Sequence, residues 1–352
     1  MQIINNILTE QVIPLTIICI IIGICIFPLA QSNRISKEGL GINNMTIIKG
    51  VACIMVVITH ICAQLKGEGI LALPANIGFL AVGIFFFCSG YGLTYSYINK
   101  ENYINNFLKK RMSSILIPFW SANIIYIIIK QKSLSVLCLM ENILGIKLIC
   151  GHFWYIQSII VLYILFYLCA KIFEDKRKMI VILIVISVIY DIWWQINNKI
   201  IGQSLPFVLG IIFAFGDLEL LEKKLNDAKQ YLLIVFCSGG IFSFIFFTWS
   251  ILKWHIDFPV YFISTIGIVC QNIFVILVVL LAMKFISNSI IGKYIGKVSY
   301  EIFLLHQIAI DIFTNLSQNI TVVIISSIGL AILLGSAFHW IMAKLIKRVN
   351  RC

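Results

Sequence analysis

Charged residues are scarce in this sequence of 352 residues. Only 12% of the residues are charged, whereas 61% are hydrophobic, and the mean hydropathy is +1.01. Soluble globular domains carry about 25% charged residues. This balance excludes a soluble fold and predicts a polytopic membrane protein without an attached soluble domain.

The motifs of several large enzyme classes are also absent. The chain has no P-loop, no GxGxxG after a strand, no CxxC, no HExxH and no GxSxG. These absences argue against nucleotide-driven transporters, zinc proteases and serine hydrolases with a nucleophile elbow. The 11 cysteines follow no metal or disulfide spacing, and most of them lie in apolar runs, where cysteine behaves as a small hydrophobe. We therefore expect no metal site.

Apolar runs of about 20 residues, bounded by charged or turn-forming clusters, predict membrane-spanning helices. The sequence predicts an all-α transmembrane bundle of about 11 helices. They are expected at about residues 11–30, 44–65, 76–98, 112–130, 152–173, 178–197, 203–216, 230–251, 258–284, 298–316 and 320–343.

The basic residues predict the orientation of this bundle. A net charge of +12 could indicate a nucleic-acid partner in a soluble protein, but 21 of the 27 lysines and arginines fall at one set of alternate helix ends. Cytoplasmic loops of membrane proteins carry such an excess. We expect a cytoplasmic C-terminus, an external N-terminus and no nucleic-acid partner.

One predicted helix carries two ionisable residues on one face, in the stretch KGVACIMVVITH. Eleven residues of α-helix bring His60 back to within about 20° of Lys49 and raise it by about 16 Å. With Lys49 at the cytoplasmic surface, His60 lies near the middle of the membrane. Ionisable side chains at that depth are costly and mark functional sites, although a purely structural hydrogen bond is the alternative.

A second histidine lies at a similar depth in GKVSYEIFLLHQ, where Ser299 and His306 share a helix face. Histidine suits proton transfer near neutral pH and can also accept an acyl group. In the same stretch Glu301 follows Lys297 by four residues, which predicts an interfacial ion pair.

Two more polar stretches break the apolar background. FFFCSGYGLTYSY places Ser89 between apolar turns beside two glycines, which favour close helix packing or a local break. GHFWYIQS lies at the outer end of the fifth predicted helix, where Trp154 and Tyr155 fit an aromatic belt. His152 and Gln157 in this stretch could line an outer acceptor site.

Five segments in order resemble a known family. The spacing Lys49-x10-His60 is similar to the basic-x10-His signature of the bacterial acyltransferase-3 family of integral membrane acyltransferases. FFFCSGYGL, HFWYIQSIIVLY, LPFVLGIIF and KVSYEIFLLHQ resemble further helices of that family. The resemblance implies that residues 44–352 form the acyltransferase domain and that residues 1–43 add an N-terminal helix. Two features depart from the family pattern. In KKRMSSILIP, Ser113 and Ser114 occupy the region where the family often has a second basic residue, and Glu301 stands where the family usually has a small or neutral residue.

The resemblance implies transfer of an acyl group, commonly acetyl, from cytoplasmic acyl-CoA to a hydroxyl of a cell-surface or lipid-linked glycan. In a bacterial plasma membrane, cytoplasmic cations would bind the CoA phosphates, and His60 would act as general base or acyl carrier. Ser89, backbone N–H groups or His306 would stabilise the oxyanion. The expected phosphate-binding residues are Lys49, Lys109, Lys110 and Arg111, and the expected acceptor-binding residues are His152, Trp154, Tyr155, Gln157 and Ser299.

Two other functions fit the same membrane bundle. The first is a proton-coupled carrier or flippase for a lipid-linked sugar, with His60 and His306 as proton relays. The second is a non-catalytic subunit of a polysaccharide synthase or export complex. The sequence specifies neither the acceptor nor the oligomeric state.

Overall fold

The computed structural model of the chain describes residues 12–26, 42–65, 71–76, 78–130, 135–198, 204–216 and 289–350, without the side chains at 26, 73, 76, 195, 196 and 198. Regular structure within these ranges is entirely helical, which confirms the predicted all-α class. The eighth and ninth predicted spans, at about 230–251 and 258–284, lie outside the described residues.

The other predicted spans form helices close to the expected positions. The α-helices in chain order are α1 Ile13–Ile26, α2 Ile42–Gln64, α3 Ala72–Asn76, α4 Gly78–Asn99, α5 Phe107–Ile129, α6 Val136–Ile143, α7 Trp154–Ile172, α8 Lys176–Asn198, α9 Leu205–Phe215, α10 Ile290–Lys297, α11 Ser299–Leu316 and α12 Ile320–Val349. Short 3-10 turns at Tyr103–Asn106 and Gly151–Phe153 precede α5 and α7.

Several of these helices have the length and composition of membrane spans. In the described part of the chain, five helical stretches are long and apolar enough to cross a bilayer, namely Ile42–Gln64, Gly78–Asn99, Tyr103–Ile129, Gly151–Ile172 and Ile320–Val349. Two shorter apolar helices cover Ile13–Cys25 and Leu205–Phe215. The chain is therefore a helical membrane protein.

Helix α2 lies at the centre of the bundle and packs against α1, α4, α10 and α11. The contact with α10 is close, because a Cβ atom on Gly50 or Gly296 would collide with backbone atoms of the other helix. Small residues permit such approach between membrane helices, where packing supplies much of the association energy. This contact fixes α2, and with it the positions of Lys49 and His60.

Helices α4 and α9 also approach through glycines. A Cβ atom on Gly90 would collide with the carbonyl oxygen of Phe207, and one on Gly210 with that of Phe87. The glycine after Ser89 therefore serves close packing, which is one of the two roles predicted for it. Gly92 has open space around its Cα.

Helix α6 occupies the long segment between α5 and α7. Val136, Leu137 and Met140 on this helix are exposed, as expected for a helix that lies at a membrane surface. Lys147, after the helix, places its Nζ atom 2.6 Å from a carboxylate oxygen of Glu141. This neighbouring carboxylate raises the pKa of Lys147.

Candidate active site

Three histidines from three separate parts of the fold meet inside the bundle. The ring centroids of His152 and His306 are 4.5 Å apart, and those of His60 and His306 are 5.0 Å apart. The third pair, His60 and His152, is separated by 5.7 Å. One imidazole comes from α2, one from the 3-10 turn that precedes α7, and one from α11. We call this group the histidine cluster.

Hydrogen bonding fixes the protonation of one member. The Nδ1 atom of His306 lies 2.7 Å from the carbonyl oxygen of Phe303. Because a carbonyl oxygen can only accept, Nδ1 carries the proton in neutral His306, and Nε2 carries a free lone pair. Neutral His306 therefore has the form of a proton acceptor and has no further N–H with which to stabilise an oxyanion.

Two nitrogens of the histidine cluster are buried without partners. The Nε2 atoms of His152 and His306 make no hydrogen bond with the described residues. Both side chains are buried, since His152 is 7% exposed and His306 is fully buried. Buried polar atoms almost always have a partner in folded proteins, and exceptions occur at catalytic sites. His152 directs its other nitrogen toward the sulfur of Cys150, at 3.5 Å.

The side chains of the histidine cluster are not arranged as a metal site. Within the described ranges, no group of three His, Cys, Asp or Glu side chains is placed to hold a metal ion.

A polar cavity of about 470 Å³ opens on one side of the cluster, and we call it the histidine cavity. His60, His152 and Trp154 line this cavity. His60 and Trp154 are half-buried, whereas His152 is buried. The rest of the wall consists of Lys130, Ile149, Cys150, Gly151, Gln307 and Asp311.

A hydrogen-bonded network orders the polar rim of the histidine cavity. Gln64 and Gln307 both donate to one carboxylate oxygen of Asp311, at 3.1 and 2.7 Å. Gln307 also donates to the amide oxygen of Gln64 at 2.7 Å. This network joins α2 to α11 and holds the Asp311 carboxylate in place.

A second cavity of about 510 Å³ lies toward the Lys49 end of α2, and we call it the lysine cavity. Lys49, Lys297, Lys347 and His339 supply basic groups to its wall, and Glu301 supplies a carboxylate. Its other polar groups are hydroxyls, from Ser89, Ser114, Ser299, Tyr155, Tyr163 and Tyr300, and apolar side chains complete it. This set of residues suits an elongated ligand with an anionic end and an apolar end.

The residues predicted to bind CoA phosphates separate in the structure. Lys49 lines the lysine cavity, whereas Lys109 and Lys110 are exposed and do not contribute to its wall. Both the Nε and Nη2 atoms of Arg111 donate to the hydroxyl of Tyr103, at 3.0 and 2.7 Å. Lys297 and Lys347, rather than the lysines in the first turn of α5, line the lysine cavity together with Lys49.

The residues predicted to bind the acceptor also divide between places. His152 and Trp154 line the histidine cavity, whereas Tyr155 and Ser299 line the lysine cavity. Ser89, expected at the catalytic centre, also lines the lysine cavity. The side-chain amide of Gln157 donates to the carbonyl oxygen of Gly145, which ties α7 to the segment after α6.

The predicted pairing of Glu301 with Lys297 is wrong. A carboxylate oxygen of Glu301 lies 2.9 Å from Nδ1 of His339 on α12. Glu301 is 6% exposed and its side chain faces α12, whereas Lys297 is exposed at the end of α10. The helical spacing of four residues fails here because α10 ends at Lys297 and α11 begins at Ser299.

Several residues around the cavities carry little signal in the sequence. Lys130, Lys297 and Lys347 look like ordinary loop or helix-end cations, and the charge pattern alone does not separate them from Lys109. Gln307 stands next to His306 and Asp311 one turn beyond Gln307, so helical periodicity could have grouped them.

Fold and site together define a class: a polytopic membrane protein whose unpaired buried imidazoles lie between a basic cavity and a polar one. The family described as an acyltransferase domain matches residues 42–341. The chain belongs to this acyltransferase-3 family, as the sequence motifs predicted, and it is a membrane acyltransferase. No curated protein and no solved structure matches the chain.

Proposed function

We propose that this protein transfers an acyl group, most simply acetyl, from acyl-CoA to a hydroxyl of a cell-surface or lipid-linked glycan in a bacterial plasma membrane. The observation that carries the proposal is the histidine cluster, with two unpaired buried nitrogens, between the lysine cavity and the histidine cavity. A base at such a junction can serve a donor on one side and an acceptor on the other.

The lysine cavity is the proposed donor site. CoA combines phosphates with a long, largely uncharged arm, and the cavity combines three lysines with an apolar aromatic region. Lysine binds phosphate as a point charge, so Lys49, Lys297 and Lys347 would hold the phosphates on the cytoplasmic side. The arm would extend from there toward the histidine cluster.

The histidine cavity is the proposed acceptor site. Asp311, Gln307 and Lys130 offer the acceptors and donors that a hydroxylated ring can use. Trp154 contributes a half-buried aromatic face to the same cavity, against which the apolar face of a sugar can pack. Cavities of about 300–1,000 Å³ bind small ligands. The histidine cavity, at about 470 Å³, is large enough for a sugar ring with its substituents.

The chemistry uses the imidazoles as proton acceptors. The acceptor oxygen attacks the thioester carbonyl carbon, the C–S bond breaks, and the CoA thiolate leaves. His60 lines the histidine cavity and would take the hydroxyl proton, which then returns to the departing sulfur. The free lone pair on His306 Nε2 lies beside His60 and would stabilise its protonated form. In the covalent route, His60 attacks the thioester carbonyl carbon first, the C–S bond breaks and the CoA thiolate leaves. The acceptor oxygen then attacks the acyl group, the bond from that group to the His60 nitrogen breaks, and the hydroxyl proton passes to the thiolate.

Radiolabelled acetyl-CoA tests the proposal on membranes that contain the full-length protein. We expect the wild type to label a membrane glycan and His60→Ala, inserted at the same level, to lose that labelling. Lys49→Ala should raise the donor concentration needed for half-maximal labelling, whereas Lys109→Ala is its matched control because Lys109 lies outside the lysine cavity. Undiminished labelling by His60→Ala would remove this residue from catalysis. A wild type that moves lipid-linked sugar without labelling it would refute transfer to a glycan.

A further inference from the structure

Three aromatic rings close the apolar end of the lysine cavity. Phe85 of α4, Tyr155 of α7 and Phe303 of α11 all line that cavity. The ring centroid of Tyr155 is 5.3 Å from that of Phe303 and 6.0 Å from that of Phe85, and the Phe85 and Phe303 centroids are 6.4 Å apart. We call this group the aromatic partition.

Phe303 also contacts the histidine cluster from the other side. Its ring centroid lies 5.4 Å from that of His152 and 5.9 Å from that of His306. The ring is 4% exposed, so it fills the space between the lysine cavity and the two unpaired imidazole nitrogens. A thioester that stops in the lysine cavity is therefore separated from the histidine cluster by one phenyl ring.

We propose that the Phe303 side chain keeps water from bridging the histidine cluster and the acyl donor, and thereby selects the acceptor hydroxyl over water. The inference rests on the proposed acyl transfer and adds a specificity determinant to it. In this arrangement the ring turns aside only when the acyl group advances toward the acceptor. Enzymes commonly prevent hydrolysis of reactive donors by excluding water from the site.

The side reaction that Phe303 prevents is hydrolysis of the donor. In that reaction a water oxygen attacks the thioester carbonyl carbon while a histidine takes the water proton. The C–S bond breaks, and the thiolate leaves with that proton as free CoA. The free carboxylic acid, which ionises in solution, is the other product. Phe303→Ala removes the phenyl ring and opens room for a few water molecules of about 30 Å³ each beside His306.

The backbone of Phe303 has a separate role from its ring. Its carbonyl oxygen accepts the Nδ1 proton of His306, and a substitution of the side chain leaves this bond in place. Phe303→Ala therefore tests the ring without removing the group that sets the protonation of His306.

The experiment measures two products from labelled acetyl-CoA with full-length protein. Membranes report the label transferred to the glycan, and purified protein in lipid nanodiscs without acceptor reports the labelled acetate released. We expect Phe303→Ala to raise the ratio of hydrolysis to transfer by about tenfold and Phe303→Leu to raise it less. Phe87→Ala is the matched control, because Phe87 is a fully buried ring on α4 that packs against Phe213 and lines neither cavity.

The possible results separate this inference from the proposed function. A wild-type ratio in Phe303→Ala, with transfer intact, overturns the inference and leaves acyl transfer standing. An equal rise in Phe87→Ala also overturns it, because general loosening then explains the hydrolysis. A wild type that uses no acetyl-CoA overturns the proposed function itself. If Phe303→Ala does not insert, the Phe303→Leu ratio decides in the same way.

Discussion

The unpaired Nε2 atom of His306 gives the sharpest test of the site. In the wild type, Nδ1 of His306 lies 2.7 Å from the Phe303 carbonyl oxygen. In His306→Asn, the side-chain amide nitrogen can take the place of Nδ1 and donate to the same oxygen. No atom of asparagine replaces Nε2. The variant therefore removes the lone pair that would stabilise protonated His60, while it preserves the local hydrogen bond and most of the buried packing.

Loss of a positioned acid–base group lowers the rate by about 10²–10⁴-fold, or about 2.7–5.5 kcal/mol of transition-state stabilisation. We expect kcat of His306→Asn to fall by that amount. Its KM for acetyl-CoA should stay within about twofold, because His306 does not line the lysine cavity and only groups that bind the donor change ground-state affinity. Initial rates of label transfer, normalised to inserted protein, separate the two constants. A kcat within about threefold of wild type would show that Nε2 does not stabilise protonated His60 in the rate-limiting step.

Two further predictions concern donor binding and helix packing. Lys297→Ala and Lys347→Ala should each raise the KM for acetyl-CoA by about two- to fivefold, a small effect because both side chains are exposed and screened. The effect should shrink at high salt, and Lys110→Ala, outside the lysine cavity, should leave the KM unchanged. Gly210→Ala should destabilise the protein by about 1–3 kcal/mol, because its Cβ would meet the Phe87 carbonyl oxygen. Thermal unfolding in detergent measures this loss of stability. Gly92→Ala is the control, because no atom lies within 4 Å of a Cβ at Gly92. Equal stability of the two variants would contradict the packing argument.

The helices and the shared helix of Lys49 and His60 could be predicted because both depend on local properties of the chain. Apolar runs predicted α2, α4, α7 and α11 within a few residues, and the period of the α-helix placed Lys49 and His60 on one face. The meeting of His60 with His306 needs the contact between α2 and α11, which no local pattern specifies. His152 joins them from a 3-10 turn, where helical periodicity gives no direction.

The positions of the lysines and arginines could not be predicted either, because they also depend on contacts between helices. A basic stretch before a helix attracts attention as a phosphate site, but the sequence cannot tell which cations face a cavity. Lys347 reaches the lysine cavity because α12 runs on to Val349, beyond the end predicted at about residue 343. The side chain of Arg111 is instead held by Tyr103, a residue of the turn before α5. Such assignments depend on contacts between helices and follow only from the fold.

The aromatic partition also bears on the choice between group transfer and transport. A carrier must pass its whole substrate, and a lipid-linked sugar is far larger than the gaps between Phe85, Tyr155 and Phe303. Such passage would require α4, α7 and α11 to separate. Helices α4 and α11 both pack against α2, whose contact with α10 runs through Gly50 and Gly296. In the proposed acyl transfer, an acetyl group would need only the rotation of the Phe303 ring to reach the histidine cluster. A site with two cavities and a wall one side chain thick therefore favours moving the small group between two substrates that stay on their own sides.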